Sequence, residues 1–167
     1  NRALSENFRR GRPGGARGGG LTKYSACIEW LFADAQSLPP LPGTPEANIV
    51  EGVAVSFPDR IRWAKAAGLD AVEFWHWSSK DLDAVKAALN ETGLPLAGIL
   101  CEPIAQITDP EQHGRFLEGV QASLLAAQML GAPMMIAQSG DDRHGVPREK
   151  QHAALVKVLG EAADVLK

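Results

Sequence analysis

The run LDAVEFWHWSS, Leu69 to Ser79, puts Glu73, Trp75, His76 and Trp77 within a few residues of one another. A carboxylate and an imidazole so close together can bind a hydroxyl, or move a proton, near neutral pH. Glu73 stands in an apolar segment. If its side chain faces one side there, Ala71 and Trp75 share that side and Val72 and Phe74 take the other. Two other segments end in similar residues. CIEWLF carries Glu29 and Trp30, and MMIAQSGDDRHG carries Gln138, Ser139, Asp141, Arg143 and His144. Aromatic rings beside amides and carboxylates suit a small polyhydroxy ligand, whose C–H faces stack while its hydroxyls find polar partners. Trp30, Glu73, His76, Trp77 and Gln138 are the residues predicted to contact substrate. One Glu and one His fall short of the three or more protein ligands of a typical metal site, so no metal site is predicted. Glu102, in the turn LCEPI, reads as a pocket residue or, with slight preference, as a solvated turn carboxylate. Cys101 reads as a small buried apolar residue. His113 and His152 read as solvated helix positions.

These side chains need elements to hold them. Four apolar segments of strand length stand out: Tyr24 to Phe32, Leu69 to Trp75, Leu94 to Cys101 and Ala132 to Gln138. Each is followed by a helical pattern. These run from Phe57 to Ala67, Ser79 to Thr92, Asp109 to Leu130 and Pro147 to Lys167. Gly68, Gly93 and Gly131 stop the first three, and Asp109-Pro110 is a cap followed by proline at the first helical position. The third helix shows Phe116, Val120, Leu124 and Ala127 on one face. The fourth shows Leu155, Val158, Leu159, Ala162 and Leu166. Strand–helix alternation with short links predicts an α/β fold with parallel strands, and the recurring helix–Gly–strand return predicts repeated βα units of a TIM barrel.

The 167 residues are 45% hydrophobic and 22% charged, enough for one core. No apolar run is long enough for a membrane span, and no secretory leader is seen. Two cysteines without CxxC spacing suit a reduced, cytoplasmic setting. Residues 1–23 hold six basic side chains against Glu6, a balance of +5, which leaves −8 on the other 144. That acidic body argues against nucleic-acid binding by the folded part. Residues 1–22, ending GRPGGARGGG, are predicted to be a disordered Arg/Gly tail, read either as an RNA-touching arm or as a linker, with the linker favoured. Residues 35–56 hold four prolines and interrupt the rhythm as an insertion between the first strand and the first helix. Phosphate-binding glycine loops, GxSxG and HExxH are absent from the sequence, which disfavours nucleotide hydrolysis, Rossmann dehydrogenases, α/β-hydrolases and zinc proteases.

The stretches KYSACIEWLFAD and FPDRIRWAKAAGLDAVEFWHWSSKDLDAVKAALNETGLPLAGIL, with FLEGVQASLLAAQMLGAPMMIAQSG further on, resemble one family. It is the hydroxypyruvate-isomerase-like branch of the xylose-isomerase-type TIM barrels, the sugar phosphate isomerases and epimerases. The likeness runs from Lys23 to Lys167. It implies an eight-stranded barrel acting on small hydroxy-carbonyl compounds through an enediol, commonly with a divalent metal. It also implies that the proton-transferring glutamates come mainly from the later strands, for which this sequence has no counterpart. A complete barrel takes about 250 residues. Residues 23–167 are therefore expected to be its N-terminal half, of about four βα units, positioning substrate, holding no metal of its own and inactive alone. A self-associating half barrel that binds without catalysis, through homo-oligomer contacts at its open strand edges, is the alternative.

Overall fold

The computed structural model of the chain describes residues 22–33 and 55–167. The Arg/Gly tail lies outside the described residues except for Thr22, and the Pro-rich insertion does so except for Val55 and Ser56.

Four parallel strands form one sheet in the order β1-β2-β3-β4. They are β1 (Ser25–Cys27), β2 (Ala71–Phe74), β3 (Leu96–Leu100) and β4 (Met135–Ile136). Helices follow them in turn: α1 (Phe57–Ala66), α2 (Leu82–Thr92), α3 (His113–Leu130) and α4 (Arg148–Val165). A single 3-10 turn, Pro110–Gln112, leads into α3 and is capped by the Asp109 carboxylate. The expected βαβαβαβα order is therefore the observed one, with four units of a TIM-barrel pattern.

The local chemistry accounts for the boundaries. Ser56 caps α1 by accepting from Asp59 N, with Pro58 in the first turn. Asp81 caps α2 through Ala84 N, so the helix starts at Leu82 and not at Ser79. Gly93 (φ 64°) and Gly131 (φ 76°) end α2 and α3 in the left-handed conformation that favours glycine.

Register fixes which side chains share a face. Cys27 pairs with Glu73 and Glu73 with Gly98, after an irregularity at Val72/Glu73 that leaves Ala97 unpaired. Val72, Phe74 and Ile99 point to the helices and pack with Ile61, Val85, Ala88 and Leu89. A second cluster joins Cys101, Ile107, Phe116, Val120, Val158 and Ala162. Glu73 and Ala71 thus take the face away from the helices, as the alternation predicts.

All four strands are shorter than expected, β1 and β4 the most. β1 ends at Cys27, although Ile28 N still donates to Glu73 O at 2.8 Å. Beyond it Glu29 turns across to the end of β2, and Phe32 takes a positive φ of 62°, so the segment to Phe32 is a turn and not strand. β4 has two residues in place of the seven from Ala132 to Gln138. Among the described residues it pairs on one side alone, with β3. On α4 the buried stripe is Gln151, Ala154, Val158 and Ala162, while Leu159 and Leu166 are exposed.

Candidate functional site

The C-terminal ends of the strands carry two carboxylate-centred arrangements. In the first, Glu29 reaches from the turn after β1 to the end of β2. Its Oε2 accepts from Trp75 N (3.0 Å) and His76 N (3.3 Å), and Lys80 Nζ donates to Oε1 at 2.8 Å. Lys80 also donates to His76 O at 2.6 Å and lies 4.5 Å from the centre of the Phe57 ring. The Lys80 and Glu29 side chains are 7% and 11% exposed, a depth at which neither charge is stable without the other. Burial pushes the Glu29 carboxyl up, but the Lys80 ammonium and the two amides outweigh it, so its pKa lies below the ordinary 4.5.

In the second, Glu102 Oε1 lies 2.9 Å from His76 Nδ1, and Oε2 accepts from Ser78 N at 2.8 Å. Burial raises the Glu102 pKa, but the Ser78 amide and His76 outweigh it and the net shift is downward. An ionised carboxylate can only accept, so His76 Nδ1 carries the proton. The imidazole stays 39% exposed, and Nε2 has no hydrogen-bond partner among the described residues. The slight preference for a solvated Glu102 is overturned. Its side chain is 12% exposed because the turn folds under the β2 loop to meet His76 and Ser78.

Around these groups the other predicted residues take separate places. Trp30 is 66% exposed and stands edge-on to Trp75, ring centres 4.9 Å apart. Glu73 is half-buried beside Cys27, and its carboxylate makes no hydrogen bond among the described residues. Trp77 turns toward α3, packs against the apolar core and donates its indole N–H to Ser123 Oγ at 3.1 Å, a packing place away from open solvent. Gln138 is exposed in a cleft of about 540 Å³ with Ile104, Gln106, Ser139 and Asp141, a volume ordinary for small-ligand sites. The structure thus brings His76, Glu102, Trp30 and Trp75 to the top of β1–β3, and sets Gln138 at the β3–β4 side.

The loop after β4 is held by amides. Asp141 N donates to Gln106 Oε1 at 2.9 Å and Gln106 Nε2 donates to Asp141 O. Gln151, buried on α4, accepts from Arg143 N at 2.9 Å and donates to Arg143 O at 3.1 Å. His113 is buried and not solvated. Its Nε2 donates to Ile107 O at 3.1 Å and so braces the turn before α3. Burial pushes the thiols of Cys27 and Cys101 up, and Cys101 is buried as expected.

Lys80, Ser123, Gln106 and Gln151 were not legible as site residues. Lys80 stands in a capping run, where solvent exposure is the ordinary expectation, and Ser123 and Gln151 fall on the apolar stripes of their helices, where a packing role is the ordinary expectation. The one available signal was Ser123 inside an otherwise apolar helix face, since a buried hydroxyl requires partners.

With this geometry in view, the chain belongs to the xylose isomerase-like TIM barrel family, which matches residues 61–167. No curated protein matches it. Among solved structures, it is similar to an AP endonuclease, family 2, from Brucella melitensis. That match has a TM-score of 0.66 and 19% identity, covering 86% of this chain and 50% of that one. It is also similar to a 3-keto-D-glucoside 4-epimerase from E. coli (TM-score 0.55, 21% identity, 65% and 46% covered). A third is a D-allulose 3-epimerase from Methylomonas sp. in complex with D-allulose (0.54, 20%, 65% and 40%). The chain spans half the length of these structures or less.

The divalent metal that the resemblance implies does not fit the described residues. Among them no three or more His, Cys, Asp or Glu side chains lie close enough to hold an ion. Both oxygens of Glu102 and of Glu29 are already committed to N–H donors. No described helix is long and apolar enough to cross a membrane.

Proposed function

We propose that the C-terminal edge of this sheet binds a small hydroxy-carbonyl compound, as part of a sugar isomerase or epimerase of the hydroxypyruvate-isomerase type. The observation that carries the reading is His76. Glu102 holds Nδ1–H, which leaves the partly exposed Nε2 as an acceptor for a substrate hydroxyl. Trp30 and Trp75 supply an apolar wall for C–H groups, Glu73 offers a carboxylate from the inner face, and Gln138 offers an amide from the next loop. Trp77 serves by holding the loop. Two sugar epimerases of like fold support the substrate class. The −8 balance beyond Lys23 disfavours a polyanionic nucleic acid, and two free cysteines favour a cytoplasmic setting.

Enediol chemistry of the family type needs two carboxylates to pass a carbon-bound proton. Of the described carboxylates at the top of β1–β3, Glu29 and Glu102 are already bonded and Glu73 stands alone, while Asp141 lies in the separate cleft beside Gln138. The 167-residue chain is therefore expected to bind such a compound without turning it over. Titration with hydroxypyruvate and small ketoses, followed by NMR, tests this. His76→Asn should weaken binding about tenfold, the worth of one well-placed hydrogen bond. Unchanged binding overturns the role of His76, and robust turnover overturns the expectation of inactivity.

A second reading rests on the edges. β1 and β4 each pair on one side among the described residues, and Met134, Val156 and Leu159 are exposed nearby or on α4. It makes the chain a self-associating binding module. A mass that rises with concentration in light scattering supports it, and a stable monomer refutes it.

A further inference from the structure

Ser123 is completely buried in the middle of α3, between the apolar residues of the two cores. Its oxygen accepts from two loops at once: Trp77 Nε1 at 3.1 Å and Glu102 N at 2.9 Å. Its own proton faces Glu102 O at 3.4 Å. One helical turn earlier, Gly119 lets α3 close on the same backbone. A Cβ there would sit 2.6 Å from Glu102 O and 2.8 Å from Pro103 Cδ. The helix thus grips the Glu102 backbone from two positions on one face. Packing alone favours an apolar residue at 123, because a buried hydroxyl loses its hydration and must be repaid by partners. The partners here are the two segments that carry His76 and its carboxylate.

We propose that Ser123 is a positioning residue for His76: its hydroxyl fixes the Glu102 turn, and the Glu102 carboxylate fixes which imidazole nitrogen holds the proton. Trp77 fastens the other end of the arrangement, since the His76–Ser78 segment leads directly into the indole that Ser123 receives. The inference rests on the reading above only in that His76 faces substrate.

The test reads proton position and not turnover. The full chain, with ¹⁵N-labelled histidine, is examined by long-range ¹H–¹⁵N correlation at about pH 8, where an ordinary imidazole is neutral. His76 of the unaltered chain should show one tautomer, protonated on Nδ1. Ser123→Ala, shown folded by circular dichroism, should lose this pattern and show averaged nitrogen shifts. Ser123→Thr, which keeps the hydroxyl, should restore it. A folded Ser123→Ala with the unaltered pattern overturns the proposal, as does Ser123→Thr behaving like Ser123→Ala. Should neither variant fold, deuterium exchange in the unaltered chain decides. The Glu102 amide and Trp77 indole protons must both exchange slowly, and ready exchange of either overturns the proposal. If the tautomer responds as stated but no hydroxy-carbonyl compound binds, the functional reading alone fails.

Discussion

The top of β1–β3 and the loop after β4 solve one problem by different chemistry. Both are irregular backbone lying over a sheet, with amide and carbonyl groups that need partners. At β1–β3 the partners are charged. Glu29 takes two amides and Lys80, and Glu102 takes an amide and an imidazole. After β4 the partners are neutral. Gln106 pairs with both backbone groups of Asp141, and Gln151 with both of Arg143. A side-chain amide supplies donor and acceptor together and needs no counter-charge. A buried carboxylate needs one, so each brings further residues with it. The carboxylates Glu29 and Glu102 therefore stand over β1–β3 with their cation and imidazole, whereas after β4 Asp141, Asp142 and His144 are exposed and Arg143 pairs with Asp109 at 3.2 Å.

The sharpest way to break the contrast is to remove one member of a charged pair. Lys80→Met leaves Glu29 buried without its cation and should cost about 3–5 kcal/mol in urea denaturation. Lys80→Met with Glu29→Gln should recover much of the loss, because no lone charge remains. If the single variant is as stable as the unaltered chain, Glu29 is not held as described.

The next effect concerns how close α3 lies. Gly119→Ala forces a Cβ to within 2.6 Å of Glu102 O and should destabilise by about 1–3 kcal/mol, the usual range for overpacking. Gly114→Ala on the same helix meets nothing within 4 Å and should stabilise by about 0.5–1 kcal/mol. Thermal melts of the two variants should therefore move in opposite directions. Two shifts of the same sign would remove the case for a specific contact at Gly119.

Much of this frame was legible in the sequence. The four βα units follow from short apolar runs, helical stripes and stop glycines. The faces of Val72, Glu73 and Phe74 follow from alternation. What could not be read were contacts between units. Glu29 and Lys80 are 51 residues apart, Trp77 and Ser123 46, and Gln106 and Asp141 35. Each pairing depends on how neighbouring loops fold over the sheet, which no periodicity encodes. The error on Glu102 had the same source, since a turn residue looks solvated until the loop above it is placed. The ends of β1 and β4 were overestimated because apolar residues continue where the backbone leaves the sheet.

Acid should separate the two regions further. Glu29 and Glu102 have folded pKa values below the ordinary 4.5. Each therefore adds stability that is full above that value and is lost as pH falls through its folded value. Stability measured from pH 6 downward should fall, and Glu29→Gln should flatten that fall. A variant that keeps the full slope would show that Glu29 is not a source of it.

The smallest expected effect belongs to the neutral side. Gln106→Ala removes the pair on Asp141, worth about 1 kcal/mol net for hydrogen bonds of this kind. The freed groups of Asp141 lie in an exposed loop, where water can replace the lost partner, so global stability should move little. The Asp141 amide should nevertheless exchange with deuterium faster, because its protection comes from Gln106 Oε1. The slope of stability against pH should not change, since no titrating group has lost a partner. An unchanged exchange rate would deny the clamp. A changed pH slope would mean that the two regions are coupled, and that the amide side shares in the acid response of Glu29 and Glu102.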